Sequence, residues 1–247
     1  MATRAEVVVL DTPEAVAREG ARILADTALE FRARNHGGFV ALSGGSTPKA
    51  MYHELCQLGE EEADALRRMR YFFGDERSVG NHHADSNVRL AMGGFILPVR
   101  VPYSHVYTPN GGARPLEQEA ARLTQLLADE LPRSHDRLPV FDLVFLGLGT
   151  DGHTASLFPG TAGLHSTVPG FVANEVPQLD TWRLTLTYPV LSAAEHVVFL
   201  VTGANKADVL AEIMDPASPP DRYPSMGVAA RRVTWLVDRE AGAALHR

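Results

Sequence analysis

The segment 147–159 contains the side chain best suited to proton transfer. It reads Gly-Leu-Gly-Thr-Asp-Gly-His-Thr-Ala-Ser-Leu-Phe-Pro, so His153 lies among glycines, two residues after Asp151. An unperturbed imidazole has a pKa of about 6.5 and exchanges protons with a ligand near neutral pH. An isolated histidine is often structural, but packing alone does not require so many glycines. We therefore interpret His153 as a candidate general base.

The segment 43–49 has the composition of an anion-binding turn. Paired glycines let the backbone approach a ligand closely, and Pro48 suits the first turn of a helix. Amides at such a helix N-terminus attract negative charge. The spacing is neither that of a P-loop nor Gly-x-Gly-x-x-Gly, and a plain turn with a hydroxyl cap is the alternative. The residues that we expect to bind a ligand here are Ser43, Gly44, Gly45, Ser46 and Thr47.

Three cationic side chains accompany the other candidate segments. Arg77 follows Asp75 and Glu76, whose carboxylates can orient hydroxyl groups. Lys206 lies at the predicted start of a helix, where its charge opposes the helix dipole unless an anion is bound. Arg183 precedes a run with strand character. The alternatives are surface ion pairs and solvated cations. We predict instead that these three cations converge on one pocket near the turn 43–47.

Metal and nucleic-acid binding are not expected. His82, His83 and Asp85 are close in sequence, but adjacent histidines in a loop point apart and lack the usual ligand spacing. The formal charge of −7 argues against a basic nucleic-acid-binding face. No Gly-x-Ser-x-Gly motif supports a serine hydrolase. The only cysteine, Cys56, has no motif around it and is interpreted as inert.

No apolar run is long enough for a membrane span or a signal peptide. A single cysteine also argues against a secreted disulfide scaffold. These features predict a soluble, cytoplasmic protein with no membrane partner.

The candidate segments follow short apolar runs that we predict to be strands, at residues 6–10, 39–42, 70–73, 141–146, 196–201 and 233–237. Most runs are apolar throughout, which is typical of strands covered on both faces. Helical patterns separate them. The alternation predicts a single α/β domain over residues 1–247, with a mostly parallel central sheet flanked by helices. In such sheets ligands bind beyond the carboxyl ends of the strands.

Five stretches together resemble one known family, and they occur in that family's order. They are residues 42–48 (LSGGSTP), 74–77 (GDER), 85–87 (DSN), 147–159 and 200–207 (LVTGANKA). In these stretches the chain resembles the short, bacterial-type 6-phosphogluconolactonases. The histidine-containing stretch is highly specific, whereas the serine–glycine turn alone is a weak signal.

The resemblance implies the fold shared with glucosamine-6-phosphate deaminase. It also implies hydrolysis of 6-phospho-D-glucono-1,5-lactone to 6-phospho-D-gluconate in the pentose phosphate pathway, without a cofactor. The expected partner is this small lactone, and the oligomeric state, monomer or dimer, is left open.

In that reaction His153 accepts a proton from water, and Asp75 or Asp151 orients its ring. We favour Asp75 for contact with the sugar hydroxyls or the water, and Asp151 for the geometry of the loop. The 6-phosphate is expected at the cations Arg77, Lys206 and Arg183, with hydroxyl donors from Ser46 and Thr47.

Two other functions are considered. The deaminases resemble this chain but have a glutamate before the proline of the histidine segment, and here that residue is Phe158. The missing carboxylate argues against deamination. A sugar-phosphate sensor of a transcriptional regulator is the non-enzymatic alternative. The first predicted strand comes so early that we expect no preceding helix-turn-helix.

Overall fold

All six predicted strands form one parallel sheet. The computed structural model describes residues 4–219 and 222–245. Its strands are β1 (Arg4–Leu10), β2 (Phe39–Leu42), β3 (Arg70–Phe73), β4 (Asp75–Arg77), β5 (Leu143–Gly147), β6 (Phe171–Val176), β7 (Thr181–Leu186), β8 (His196–Val201) and β9 (Arg232–Asp238). Six of them pair in parallel in the order β1-β9-β8-β5-β2-β3. The predicted central sheet is confirmed, with no strand end displaced by more than two residues.

Helices cover both faces of this sheet. They are α1 (Pro13–Ala33), α2 (Ser46–Leu55), α3 (Glu60–Arg68), α4 (Asn87–Ala91), α5 (Leu97–Val99), α6 (Leu116–Glu130), α7 (Tyr188–Ala193) and α8 (Ala207–Met214). A π-helical turn, Met92–Ile96, joins α4 to α5. Short 3₁₀ turns occur at Tyr103–His105, Ala162–His165, Pro177–Leu179, Ala204–Lys206 and Pro224–Gly227. No helix in the described part of the chain is both long and apolar enough to cross a membrane.

The caps of α1 show how local sequence sets its bounds. The Thr12 side chain accepts a hydrogen bond from the Ala15 amide at 3.2 Å, and Pro13 occupies the first helical position. The helix ends at Ala33, before Gly37 and Gly38. Asn35, with a φ of 56°, adopts the left-handed conformation that terminates it.

The core consists of two hydrophobic clusters, one on each face of the sheet. Alternate side chains of a strand point to opposite faces. Phe145 therefore packs in the cluster that contains α1, α2 and α3, whereas Leu146 packs in the one that contains α6, α7 and α8. Because both faces are covered, the central strands are apolar throughout and show no alternation.

A second, antiparallel sheet has the order β4-β7-β6 and was not predicted. Residues 75–77 were expected in a loop, but they form a strand that pairs with β7, with Arg77 opposite Arg183. A three-residue strand made only of charged residues carries no apolar pattern. Its pairing depends on β7, more than one hundred residues later in the chain.

The order of the strands creates a crevice between β2 and β5. The chain passes from β2 outward to β3, and from β5 outward in the other direction to β8. Because these connections leave in opposite directions, the segments that follow β2 and β5 diverge and leave a crevice at the carboxyl ends of the two strands. Ligands bind in such crevices in open α/β sheets. The segments after β2 and β5 are those that contain the glycine-rich turns.

We predict that His196, at the start of β8, makes the fold sensitive to acid. Its Nε2 lies 2.9 Å from Thr234 Oγ1, and burial, together with the charge of Arg232, lowers the pKa of His196 to about 4. The unfolded chain, with a pKa of about 6.5 at this residue, takes up the proton first as the pH falls. Proton uptake at His196 in the unfolded chain therefore lowers the free energy of unfolding as the pH falls from about 6.5 to about 4.

Urea denaturation of His196→Gln and wild type at pH 7.5 and pH 4.5 measures this effect. We expect the wild type to lose more stability than the variant, because glutamine does not titrate. Equal losses in the two proteins would contradict the assignment.

Candidate active site

A cleft with a volume of about 260 Å³ opens at the carboxyl ends of β2, β5 and β8. Nine of the eleven side chains or glycines that we singled out line it, namely Ser43, Gly44, Gly45, Ser46, Thr47, Asp75, Arg77, His153 and Lys206. The remaining two are next to lining residues, since Asp151 bonds to His153 and Arg183 is opposite Arg77 in the pairing of β4 with β7. The structure therefore brings together segments from four different strand ends.

His153 is paired with Asp151. Its Nδ1 lies 2.6 Å from Asp151 Oδ1, and its backbone N–H donates to the same oxygen at 3.1 Å. The ring stacks on Phe158, with 4.0 Å between ring centroids. An ionised Asp151 favours the tautomer that carries its proton on Nδ1, which leaves the Nε2 lone pair for a ligand. Of the two carboxylates that the sequence left open, Asp151 orients the imidazole.

The His153–Asp151 pair requires glycine at position 149. A Cβ atom on Gly149 would overlap both His153 Nδ1 and Asp151 Oδ1. We predict that Gly149→Ala displaces the imidazole and lowers kcat by about 10²-fold, since displacement of a catalytic group by about 1 Å has effects of this size. Gly93→Ala is the control, because a Cβ there meets no atom within 4 Å. Gly149→Ala activity close to that of Gly93→Ala would contradict the prediction.

Arg77 and Lys206 are the cations that face the cleft. Arg77 Nη1 donates to the Asp85 carbonyl oxygen at 2.7 Å and to Asn87 Oδ1. Lys206 is half-buried, and burial lowers the pKa of its ammonium group, an effect partly offset by the Asp151 carboxylate. Among the ion pairs of the described residues none involves Arg77 or Lys206. Both charges are therefore available to an anion.

Arg183 differs from its expected position. It lies within β7 rather than before a strand, and it is not among the residues that line the cleft. It donates to Thr181 Oγ1 and to the Trp182 carbonyl oxygen, both at 3.3 Å. Burial and the like charge of Arg77 lower its pKa. We expected three cations to line the cleft. Two of them, Arg77 and Lys206, do so, and Arg183 lies beside Arg77.

Asp75 is buried in the wall of the cleft and forms no hydrogen bond with His153. Its Oδ2 accepts a hydrogen bond from Ser156 Oγ at 2.6 Å, and its Oδ1 accepts one from Asn87 Nδ2 at 3.0 Å. Each oxygen retains capacity for a further donor. Asp75 is therefore a fixed acceptor suited to hydroxyl groups of a ligand.

The turn after β2 supplies hydroxyl groups and the start of α2. Ser43 Oγ is buried and has no hydrogen-bond partner among the described residues. Thr47 Oγ1 lies 2.7 Å from Thr202 Oγ1, which ties this turn to the one after β8. A buried hydroxyl without a partner is costly, and a ligand in the cleft can satisfy it.

Sequence reasoning assigned no role to three polar side chains of the site. Thr202 follows β8 directly and lines the cleft, whereas Ser156 and Asn87 hold Asp75. All three lie within the stretches that carried the family resemblance. Their position in these stretches could have identified them as candidate site residues, but it did not indicate which atoms they contact.

The chain is similar to known proteins in sequence and in fold. Residues 11–236 match the model of the family described as glucosamine-6-phosphate isomerases/6-phosphogluconolactonase. A 6-phosphogluconolactonase from Synechocystis sp. is 38% identical over 206 residues, which cover 83% of each chain. The structure of a 6-phosphogluconolactonase from Trypanosoma cruzi has a TM-score of 0.87 at 28% identity, covering 100% of this chain and 99% of that one. A monomeric glucosamine-6-phosphate deaminase shares the fold, with a TM-score of 0.78 at 22% identity over 97% of this chain and 99% of that chain.

Proposed function

The chain belongs to the family of glucosamine-6-phosphate isomerases and 6-phosphogluconolactonases, and we propose that it hydrolyses 6-phospho-D-glucono-1,5-lactone to 6-phospho-D-gluconate in the pentose phosphate pathway. The observation that carries this proposal is the His153–Asp151 pair in one cleft with Arg77 and Lys206. The pair supplies a base for water, and the cations supply a site for the phosphate.

The phosphate end of the substrate lies against Arg77 and Lys206 in this proposal. Charge-assisted hydrogen bonds from these groups are stronger than neutral ones. Ser46 and Thr47, at the start of α2, add hydroxyl donors close to the positive end of the helix dipole. Arg183, beside Arg77, strengthens the positive potential without contacting the substrate. Such a local cluster is needed because a net charge of −7 repels a dianion at long range.

His153 acts as the general base. Its Nε2 accepts a proton from a water molecule while Asp151 holds Nδ1–H and stabilises the imidazolium that forms. General-base catalysis of this kind contributes about 10²- to 10⁴-fold to a rate. A lactone is an activated ester, so this contribution is a large part of what the reaction needs.

The remaining steps follow from the balance of atoms and protons. The water oxygen bonds to C1 and the carbonyl oxygen becomes an oxyanion, for which backbone N–H groups of the glycine-rich turns are the proposed donors. The C1–O5 bond then breaks, and the imidazolium returns its proton to O5, which becomes a hydroxyl group. The new carboxylic acid ionises and releases one proton to solvent.

The sugar hydroxyls are proposed to contact Asp75 and Ser43. Asp75 is held by Ser156 and Asn87, which leaves acceptor capacity toward the cleft. The Ser43 hydroxyl has no partner among the described residues. Gly44 and Gly45 keep the backbone of this turn free of side chains where the ring approaches.

Deamination of glucosamine 6-phosphate is less well supported. The residue before Pro159 is Phe158, and its ring packs against His153 rather than presenting a carboxylate to the cleft. A carboxyl group to assist ring opening is therefore lacking at this position.

A direct assay distinguishes the two reactions. Freshly prepared 6-phospho-D-glucono-1,5-lactone is added to the purified protein, and acid release is recorded above the spontaneous rate. Ammonia release from glucosamine 6-phosphate is measured in parallel. We expect acid release only. Ammonia release without lactone hydrolysis would overturn the proposal.

We further propose that the protein acts in the cytoplasm, without a metal or cofactor, and that residues 1–247 form one domain. The mechanism needs water from solvent, a base and hydrogen-bond donors, and the chain offers the base and the donors.

A further inference from the structure

The Asn87 side chain connects two residues that line the cleft, Asp75 and Arg77. Its Nδ2 donates to Asp75 Oδ1 and to the Asp75 carbonyl oxygen, each at 3.0 Å, and its Oδ1 accepts from Arg77 Nη1. Asn87 is only 1% exposed. One amide group therefore contacts both the carboxylate assigned to the sugar hydroxyls and the guanidinium assigned to the phosphate.

The backbone around Asn87 is fixed by Glu76. The fully buried Glu76 carboxylate accepts from the Asn87 and Val88 amides, at 2.8 Å and 2.9 Å. It also accepts from Ser86 Oγ at 2.9 Å and from the Arg77 amide at 2.7 Å. These bonds clamp the start of α4 to β4. The Asn87 amide thus has a defined position between Asp75 and Arg77.

The turn after β2 packs against the same amide. A Cβ atom on Gly44 would overlap Asn87 Oδ1, so position 44 accommodates Asn87 only as glycine. Arg77 Nη1 is occupied by Asn87 and the Asp85 carbonyl oxygen. This leaves Nη2 and Nε of Arg77 for a phosphate.

We propose that Asn87 is a positioning residue that sets the orientation of Asp75 and Arg77 together, and so couples recognition of the sugar hydroxyls to recognition of the phosphate. This proposal rests on the proposed function of the cleft. An amide donates to a carboxylate and accepts from a guanidinium through one planar group, and it does so at any pH because it carries no titratable proton. Serine is too short for both contacts, and an ionised aspartate would repel Asp75.

Asn87→Asp provides a pH-dependent test. When the new carboxyl group is protonated, it donates to Asp75 and accepts from Arg77 as the amide does. When it is ionised, it repels Asp75, which raises the pKa of the new carboxyl group, whereas Arg77 beside it lowers that pKa. We expect kcat/KM for the phosphorylated lactone to be about 10-fold below wild type at pH 8 and to rise toward wild type as the pH falls to 5. A variant as active as wild type at pH 8 would overturn the proposal.

Asn87→Ser separates the two contacts by means of two substrates. We expect its kcat/KM to fall about 10²-fold for 6-phospho-D-glucono-1,5-lactone, where both contacts matter, and about 10-fold for D-glucono-1,5-lactone, where only Asp75 matters. Asn174→Ser is the control. Asn174 is equally buried and hydrogen-bonded, and it bonds to the Ser156 carbonyl oxygen but not to the Ser156 hydroxyl group, Asp75 or Arg77. Asn174→Ser should lower Tm but leave unchanged the ratio of kcat/KM for the phosphorylated lactone to kcat/KM for D-glucono-1,5-lactone.

Calorimetry with 6-phosphogluconate distinguishes failure of this proposal from failure of the proposed function. If the wild type binds 6-phosphogluconate but hydrolyses no lactone, the function is wrong, and weaker binding by Asn87→Ser than by Asn174→Ser still supports the role of Asn87. If the wild type is active, and Asn87→Ser and Asn174→Ser have the same affinity for 6-phosphogluconate and the same ratio of kcat/KM for the two lactones, the proposed role of Asn87 is wrong.

Discussion

His153→Asn lowers kcat by about 10²- to 10⁴-fold, with little change in KM, because it removes the base without removing a group that binds the phosphate. The asparagine amide is close in size to part of the imidazole and contacts the same Phe158 ring, so the cleft keeps its shape. Initial rates over a range of lactone concentrations, corrected for spontaneous hydrolysis, provide the measurement.

His165→Asn is the control for this substitution, because His165 is exposed in a 3₁₀ turn outside the cleft. A double variant adds a sharper test. If Asp151 acts only through His153, then His153→Asn combined with Asp151→Asn should be little worse than His153→Asn alone. Activity of folded His153→Asn within a few-fold of wild type would refute the general-base role.

Arg77→Ala and Lys206→Ala each lower kcat/KM for the phosphorylated lactone by about 10- to 100-fold, because each removes charge-assisted hydrogen bonds of about 1.5–3 kcal/mol. The same variants hydrolyse D-glucono-1,5-lactone about as well as wild type, since that substrate has no phosphate. The expected result is a change in substrate preference rather than a general loss of activity.

Lys49→Ala is the matched control, because Lys49 is exposed on α2 and does not line the cleft. It should leave both substrates unaffected. Equal losses on the two lactones in Arg77→Ala or Lys206→Ala would place that side chain away from the phosphate.

The sequence predicted the central sheet well because burial on both faces leaves a strong apolar signal. Runs such as 196–201 cannot be solvent-exposed strands, and their alternation with helices restricts the sheet to mostly parallel pairing. The rule that ligands bind at the carboxyl ends then located the turns after β2, β5 and β8, which the structure brings into one cleft.

The finer geometry depends on contacts between distant parts of the chain. The spacing of Asp151 and His153 does not reveal the direction of either side chain, and so the choice between Asp75 and Asp151 required the structure. The charged strand β4 exists because β7 pairs with it, which also places Arg183 beside Arg77. The role of Asn87 depends on Glu76, whose hydrogen bonds no sequence pattern shows.

A crystal structure of the complex with 6-phosphogluconate tests the central claim most directly, because the claim fixes both ends of the ligand. We predict that the phosphate lies within hydrogen-bond distance, about 2.7–3.2 Å, of Arg77 and Lys206. The C1 carboxylate should then lie next to His153 Nε2, with the sugar hydroxyls against Asp75. A phosphate bound away from Arg77 and Lys206, or a C1 carboxylate at the end of the cleft remote from His153, would contradict the account.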